Sequence, residues 1–474
     1  DTTALTADSA ATAAAQNPTP TATPGSDGPV TGEALGDLLR VRPPGAATAT
    51  GAGSALTAGP VDGGAPVLAG TTTSVATSGD LRGLSAPACS APAEQTWLVG
   101  GSTGVGRSTR LVLADAGTTP TTVDVTVLTA TGPQQPDALQ GLSLGPGEQR
   151  SVLLEGVLEG LDASGAAATG PGGGPLAVQV RSSAGPVAAW LVEGVLRGLV
   201  PGGTEVVGPA AAPATSLLVP GVVTAGPAPA VLRVANPGAE PVVARFSVVG
   251  TSGSSVPSGA VPATALPAGS AVDVELPALP GGGVALAVEA DGPVLAAVRT
   301  DSAPGGGAAG GAAGGAAGGT AGGTGGAAGD RQPGDLAWSP AAEPLRGPVL
   351  VALPPAPSGT SRAPGARLVL TSREAAAVDV AIVGADGTTG QARRVELPAS
   401  TTTAADVDDL VRSAGGSGAP VALLLTPVDG QGGHVVAALA TRSAAGGGGD
   451  LVSTTAVSPG SAVPSTVAVT VTGP

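Results

Sequence analysis

Val231-Leu-Arg-Val-Ala-Asn-Pro-Gly238, followed at once by Val242-Val-Ala-Arg-Phe-Ser-Val-Val249, decides the fold. Apolar residues alternate with polar or small ones at a period of two on both sides of an Asn-Pro-Gly turn. That pattern predicts two strands, each with one face toward a core. The pair recurs as Arg110-Leu-Val-Leu-Ala-Asp-Ala-Gly117 with Thr122-Val-Asp-Val-Thr-Val-Leu128, and as Arg367-Leu-Val-Leu-Thr-Ser372 with Ala377-Val-Asp-Val-Ala-Ile-Val383. Each copy continues through a further Pro/Gly turn and closes on an apolar strand: Leu176–Val180, Val284–Val288 or Val421–Leu425.

A shorter unit alternates with this long one. It reads Gly-Pro-Val-x-Ala, a Gly-rich stretch, then Gly-Asp-Leu or a variant, an Ala/Pro cluster and an apolar strand. Its acidic centre appears as Gly79-Asp-Leu, Gly203-Thr-Glu, Gly334-Asp-Leu and Gly449-Asp-Leu. Long units bracketed by short ones predict an all-β chain of three tandem immunoglobulin-like antiparallel β-sandwich repeats sharing connector strands, preceded by a disordered stalk. The expected division is a stalk over 1–64 rich in Ala, Thr, Pro and Gly, sandwiches over 65–210, 211–302 and 333–474, and a Gly/Ala loop insertion over 303–332. The insertion resembles a linker between domains, but the repeat register puts it inside the third short unit, as a loop whose ends lie close together. Strands are left spare near Pro66–Ala69 and Thr466–Thr472; they finish the first and third sandwiches, or pair and close a ring. Within the stalk, Gly32–Arg40 is expected to form a short helix capped by Thr31.

Composition narrows place and function. The chain has 474 residues, a formal charge of −15, one Cys, one His, no Met and no Lys. A start at Asp1 without Met predicts an export signal or membrane anchor upstream of this sequence. The absence of Lys and Tyr, with single Ile and Phe residues, fits a GC-rich genome and says nothing of function. The acidic charge argues against nucleic acid as a partner, since phosphate recognition needs a clustered basic face. One Cys permits no internal disulfide.

Few residues can carry chemistry. Gly101-Ser-Thr-Gly-Val-Gly106-Arg107-Ser108 imitates a phosphate-binding loop but has Arg for the required Lys and leads into a strand, so it reads as a Gly-rich hairpin. His434 has no second ligand for zinc and no triad partners in view. Asp406, Asp408 and Asp409 form the densest acidic cluster; with the segment as a strand they are edge charges or a weak calcium site. Trp97 and Trp190 lie in apolar strands and read as core. Trp338, in the connector where Val207 stands in the preceding copy, reads as packed; if exposed, it is the one candidate for contact with a glycan or a partner. No catalytic, cofactor-binding or metal-ligating residue is assigned.

Trp97-Leu-Val-Gly-Gly101, Leu232-Arg-Val-Ala-Asn-Pro-Gly238 and the recurrent Gly-Pro-Val-x-Ala together resemble a family of exported actinobacterial envelope proteins catalogued as a domain of unknown function, over about residues 66 to 474. The resemblance implies an extracytoplasmic location and a link to envelope glycan or glycosyltransferase machinery; it implies no catalytic residues. The expected function is a non-enzymatic envelope scaffold or accessory subunit, working through sandwich faces on an envelope membrane protein such as a glycosyltransferase. The alternative is a carbohydrate-binding module for cell-wall polysaccharide, with Trp338 as the stacking platform.

Overall fold

The alternating strands build three successive two-sheet sandwiches in the computed structural model. It describes residues 10–15, 21–23, 31–35, 38–42, 54–57, 68–158, 174–224, 228–257, 263–302, 334–356, 363–385, 389–414, 420–428, 432–444, 450–458 and 467–469.

In the first sandwich, Gln95–Ser102, Thr121–Thr129 and Pro175–Ser183 share one sheet, with Gly132–Gln134 and Leu142–Leu144 at its border. Gln149–Leu153, Arg107–Asp115, Val187–Arg197 and Val200–Val207 form the other, in that spatial order. The period-two pattern of Thr121–Thr129 explains its placement: Val123, Val125 and Val127 turn inward while Thr122 and Asp124 face water. The third sandwich repeats this order, with Thr401–Asp406, Gly365–Ser372, Val435–Ala444 and Asp450–Ala456 in its second sheet. The second does so with one economy: the single long strand Gly282–Asp301 serves both sheets, and the connector Leu336–Pro340 pairs with its end. That connector therefore extends the second sandwich, although the sequence division gave residues 333–340 to the third.

Each sandwich has its own core of Val, Leu and Ala. Val123, Leu111 and Leu191 anchor the first, Leu232, Phe246 and Leu286 the second, and Leu368, Val378 and Leu423 the third. Gln95–Ser102, Arg107–Asp115 and Thr121–Thr129 fall in alternate sheets, so the partition differs from the immunoglobulin division of ABED against CFG. The cause lies in the turns. Gly101–Arg107 carries the chain from one sheet across to the other, an arch where a hairpin was expected.

The Gly/Ala tract lies outside the described residues, but its flanks meet: the Ser302 amide donates to the Asp335 carbonyl at 2.7 Å. Within residues 1–64, read as a stalk, the described residues form strands. Thr31–Leu35 pairs antiparallel with Leu38–Arg42, which replaces the expected helix. The two residues between them, Gly-Asp, are a tight-hairpin sequence, and glycine disfavours a helix interior. The spare C-terminal strand, Val467–Val469, pairs with Ser54–Thr57.

Leu68–Ala76 pairs antiparallel with Gly83–Ser85, which makes a half-unit equivalent to the last two strands of a sandwich. Ala69 packs against Leu350, Val383 and Ala422 on the third sandwich, while Gly83 lies against the Thr204 backbone of the first. The half-unit thus bridges the third and first sandwiches. The three connectors, Val200–Val207, Leu336–Pro340 and Asp450–Ala456, converge beside it.

This convergence is close. Gly203 has φ +119°, and a Cβ there would stand 2.4 Å from Asp335 Oδ1 and 2.7 Å from the Leu336 amide. Gly203→Ala is expected to destabilise the chain by at least about 2 kcal/mol, from backbone strain together with overpacking. A shift in the denaturant midpoint checks this; an unchanged midpoint would mean the connectors can separate at no cost.

Candidate functional site

Where the sandwiches meet, the chain concentrates its buried charge. The first joint couples sandwiches one and two. Arg233, fully buried on Ala228–Ala235, forms a two-pronged pair with Asp273, Nε to Oδ1 at 2.8 Å and Nη2 to Oδ2 at 2.9 Å. Its Nη1 donates across the joint to the carbonyls of Gly101 and Leu176. The guanidinium lies over the Trp338 ring, 4.7 Å from its centroid, a cation–π contact in a site shielded from water. Trp338 Nε1 donates to Glu193 Oε2 on the first sandwich, and Glu193 Oε1 accepts from Arg107 at 2.9 Å. Burial raises the Asp273 pKa, but the Arg233 charge and hydrogen bonds outweigh it and hold the carboxyl below its usual range.

The second centre joins all three connectors and the half-unit. Asp335 accepts the amides of Leu84 at 2.9 Å, Val452 at 3.0 Å and Leu336 at 2.9 Å. Burial outweighs those three donors and pushes its pKa up to about 7. Glu205 is fully buried, and desolvation, then the nearby Asp335 charge, hold it well above the ordinary carboxyl value. Ser453 of the third connector donates to Glu205 at 2.9 Å and accepts the Ala86 amide at 3.1 Å. Arg82, 1 % exposed, donates to the Gly334 carbonyl. One carboxylate thus gathers backbone from the half-unit, the second connector and the third. The chemistry here is that of a clasp, in which acid groups hold main-chain amides together.

The residues singled out from sequence are placed as follows. Trp338 is 1 % exposed, so it presents no face to a sugar ring, and Trp97 and Trp190 are also buried. The acidic cluster breaks up: Asp406 ends a strand and pairs with Arg367 at 2.8 Å, whereas Asp408 and Asp409 open the helix Val407–Ala414. Early acidic residues suit a helix N-terminus, and with Asp408 off the strand the same-face geometry imagined for calcium is lost. Among the described residues no group of three or more His, Cys, Asp or Glu could hold a metal ion. His434 closes a short 3-10 turn, with Nε2 3.6 Å from Glu374. Burial pushes the Cys89 thiol up to about 12, well away from the range of a reactive thiolate. No described helix is long and apolar enough to cross a membrane.

Sequence reasoning passed over Glu205, Asp335, Arg233 and Glu193. The available signal was the repetition of Gly-Asp-Leu and Gly-Thr-Glu at the head of successive connectors. Two of those acids, Glu205 and Asp335, meet, whereas Asp450 pairs with Arg442 and Asp80 is exposed.

Comparison with known proteins adds a family and no activity. No curated protein matches the chain. Among solved structures, the crystal structure of Thermotoga maritima 1070 is 15% identical, with a TM-score of 0.18, over 24% of this chain and 93% of that one. The model of the family of unknown function DUF5719 matches residues 45–408, spanning the half-unit, the first two sandwiches and most of the third. The chain belongs to that family.

Proposed function

We propose that this chain is a non-enzymatic scaffold or accessory subunit of the cell envelope, acting outside the cytoplasm through the faces of its sandwiches. One observation carries the reading: most of the buried charged groups, together with Trp338, are spent on fixing three sandwiches relative to one another. Arg233, Trp338, Glu193 and Arg107 lock the first joint, while Asp335, Glu205 and Ser453 tie the connectors. Removing one partner of such a pair costs about 3–5 kcal/mol, so the mutual orientation of the sandwiches is enforced. A body that holds separated surfaces at set angles suits the positioning of another protein better than it suits turnover.

An envelope membrane protein, a glycosyltransferase among the options, is the partner this reading favours. Crosslinking of the full-length protein in its own cells, followed by mass spectrometry, tests it. Reproducible recovery of one membrane enzyme, with crosslinks on a sandwich face, is the expected result. Crosslinks confined to the chain itself would remove the accessory-subunit reading. The second reading, a module for envelope polysaccharide, has lost its stacking platform with the burial of Trp338 and would need another surface.

A further inference from the structure

Large exposed apolar side chains are few among the described residues, and they cluster. Val105 and Leu199 are fully exposed, at 106% and 97%, and Leu196 and Val200 are partly so. Val105 sits at the tip of the arch between Gln95–Ser102 and Arg107–Asp115. Leu199, with Gly198, forms the two-residue turn between the paired residues Arg197 and Val200. The two tips abut, since the Leu196 amide donates to the Gly106 carbonyl at 2.6 Å. Gly106 and Gly198 both have positive φ, at 74° and 69°, so each turn is tight and its apolar residue projects. Leu153, 44% exposed, lies on the same end of the sheet, opposite Arg110.

We propose that these tips insert into the headgroup–acyl boundary of a lipid bilayer and orient the first sandwich on a membrane. Three observations favour lipid over a protein occupant. Val105 and Leu199 project from tight turns, with side chains that touch almost nothing. Four Val and Leu side chains offer on the order of 400 Å² of apolar area, short of the roughly 800 Å² per partner that a stable protein interface or dimer needs; insertion into lipid has no such minimum. The exposed charge beside the tips also runs against the chain's net −15: Arg197 flanks the turn and Arg110 lies on the adjoining strand, both exposed. Among the described residues Asp301 stands 3.5 Å from Arg197, and Glu155, which accepts the Thr109 amide, is the acid next to Arg110. Apolar tips with two exposed arginines beside them match an interface whose headgroups are anionic and whose interior is not.

The test is flotation of the purified chain with extruded vesicles of phosphatidylcholine, with and without phosphatidylglycerol. Binding to both is expected, stronger with phosphatidylglycerol and partly salt-sensitive. The double variant Val105→Asp/Leu199→Asp should lose at least tenfold in partitioning, with an unchanged thermal transition because neither side chain is packed. Val256→Asp, also exposed but on the second sandwich, should bind as the parent does. The proposal is overturned if the parent fails to float with either vesicle, if the double variant binds undiminished, or if Val256→Asp loses as much. It is equally overturned if the tip variant abolishes a dimer in light scattering while vesicles show no binding, since the tips would then serve a second copy of the chain.

Discussion

Replacement of Trp338 by alanine is expected to cost about 3–5 kcal/mol of folding stability, the range for deleting a buried large aromatic. Three losses coincide at this residue. The indole vacates a site 1% exposed, where its ring touches Gly100 and lies close to Val207 across the joint. Arg233 loses the ring beneath its guanidinium, and Glu193 Oε2 loses its donor while remaining fully buried. Trp338→Phe keeps an aromatic ring but loses the N–H and the volume of the second ring, so it should cost about 1–3 kcal/mol for the unsatisfied acceptor plus a smaller cavity cost, less in all than the alanine variant. Equilibrium denaturation followed by circular dichroism separates the two variants. Because the site joins two sandwiches, Trp338→Ala should also open the connection over residues 208–213 to limited proteolysis. A loss below about 1 kcal/mol, with no new cleavage, would move the seat of the joint elsewhere.

Stability is expected to fall as pH rises from about 4.5 to 8, with Asp335 and Glu205 as the cause. Both acids have folded-state pKa values raised above the unfolded ones, Asp335 from 3.8 to about 7. In the unfolded chain they ionise near pH 4, whereas in the folded chain burial keeps them neutral. Their contribution is therefore whole below the unfolded pKa and is lost as pH climbs through the folded one. At about 1.4 kcal/mol per unit, Asp335 alone accounts for up to about 4 kcal/mol between pH 4 and 7. Asp273 and Asp406 carry the opposite sign, with lowered values; they are ionised already at pH 5 and leave the window clear.

Asp335→Asn isolates the effect. The amide cannot ionise, so the slope over this window should flatten. It also turns an NH2 toward backbone donors that now meet oxygens, the amides of Leu84 and Val452 on one side and Leu336 on the other. The variant should therefore be less stable than the parent at pH 5 by about 1–3 kcal/mol, with the gap narrowing toward pH 8. General repulsion in an acidic chain acts on both proteins alike, so the difference between the curves is the quantity to read. A parent midpoint independent of pH would show that the clasp carries its charge without cost.

The strands were legible because their signal is local. Period-two alternation in Thr122–Leu128 and Val242–Val249 needs only neighbouring residues to specify which side chains turn inward. Register did the rest: four short units in step with three long ones placed the Gly/Ala tract within a unit, and its flanks do meet at Ser302 and Asp335. Local signals also misled where two structures share a pattern. Gly32–Arg40 suits a helix by composition, yet it pairs as a hairpin with residues a few positions away, and Val407–Ala414 reads as strand edge but winds into a helix. The sequence by itself thus determined the class of fold, its repeats and the lack of any dense catalytic motif. The tertiary structure alone decided which polar residues meet. Trp338 and Glu193 are 145 positions apart, and Ser453 and Glu205 are 248 apart. Periodicity says which way a side chain faces within its own sheet. It carries no information about which other sheet will cover that face, and the burial that raises Asp335 and hides Trp338 comes from that covering.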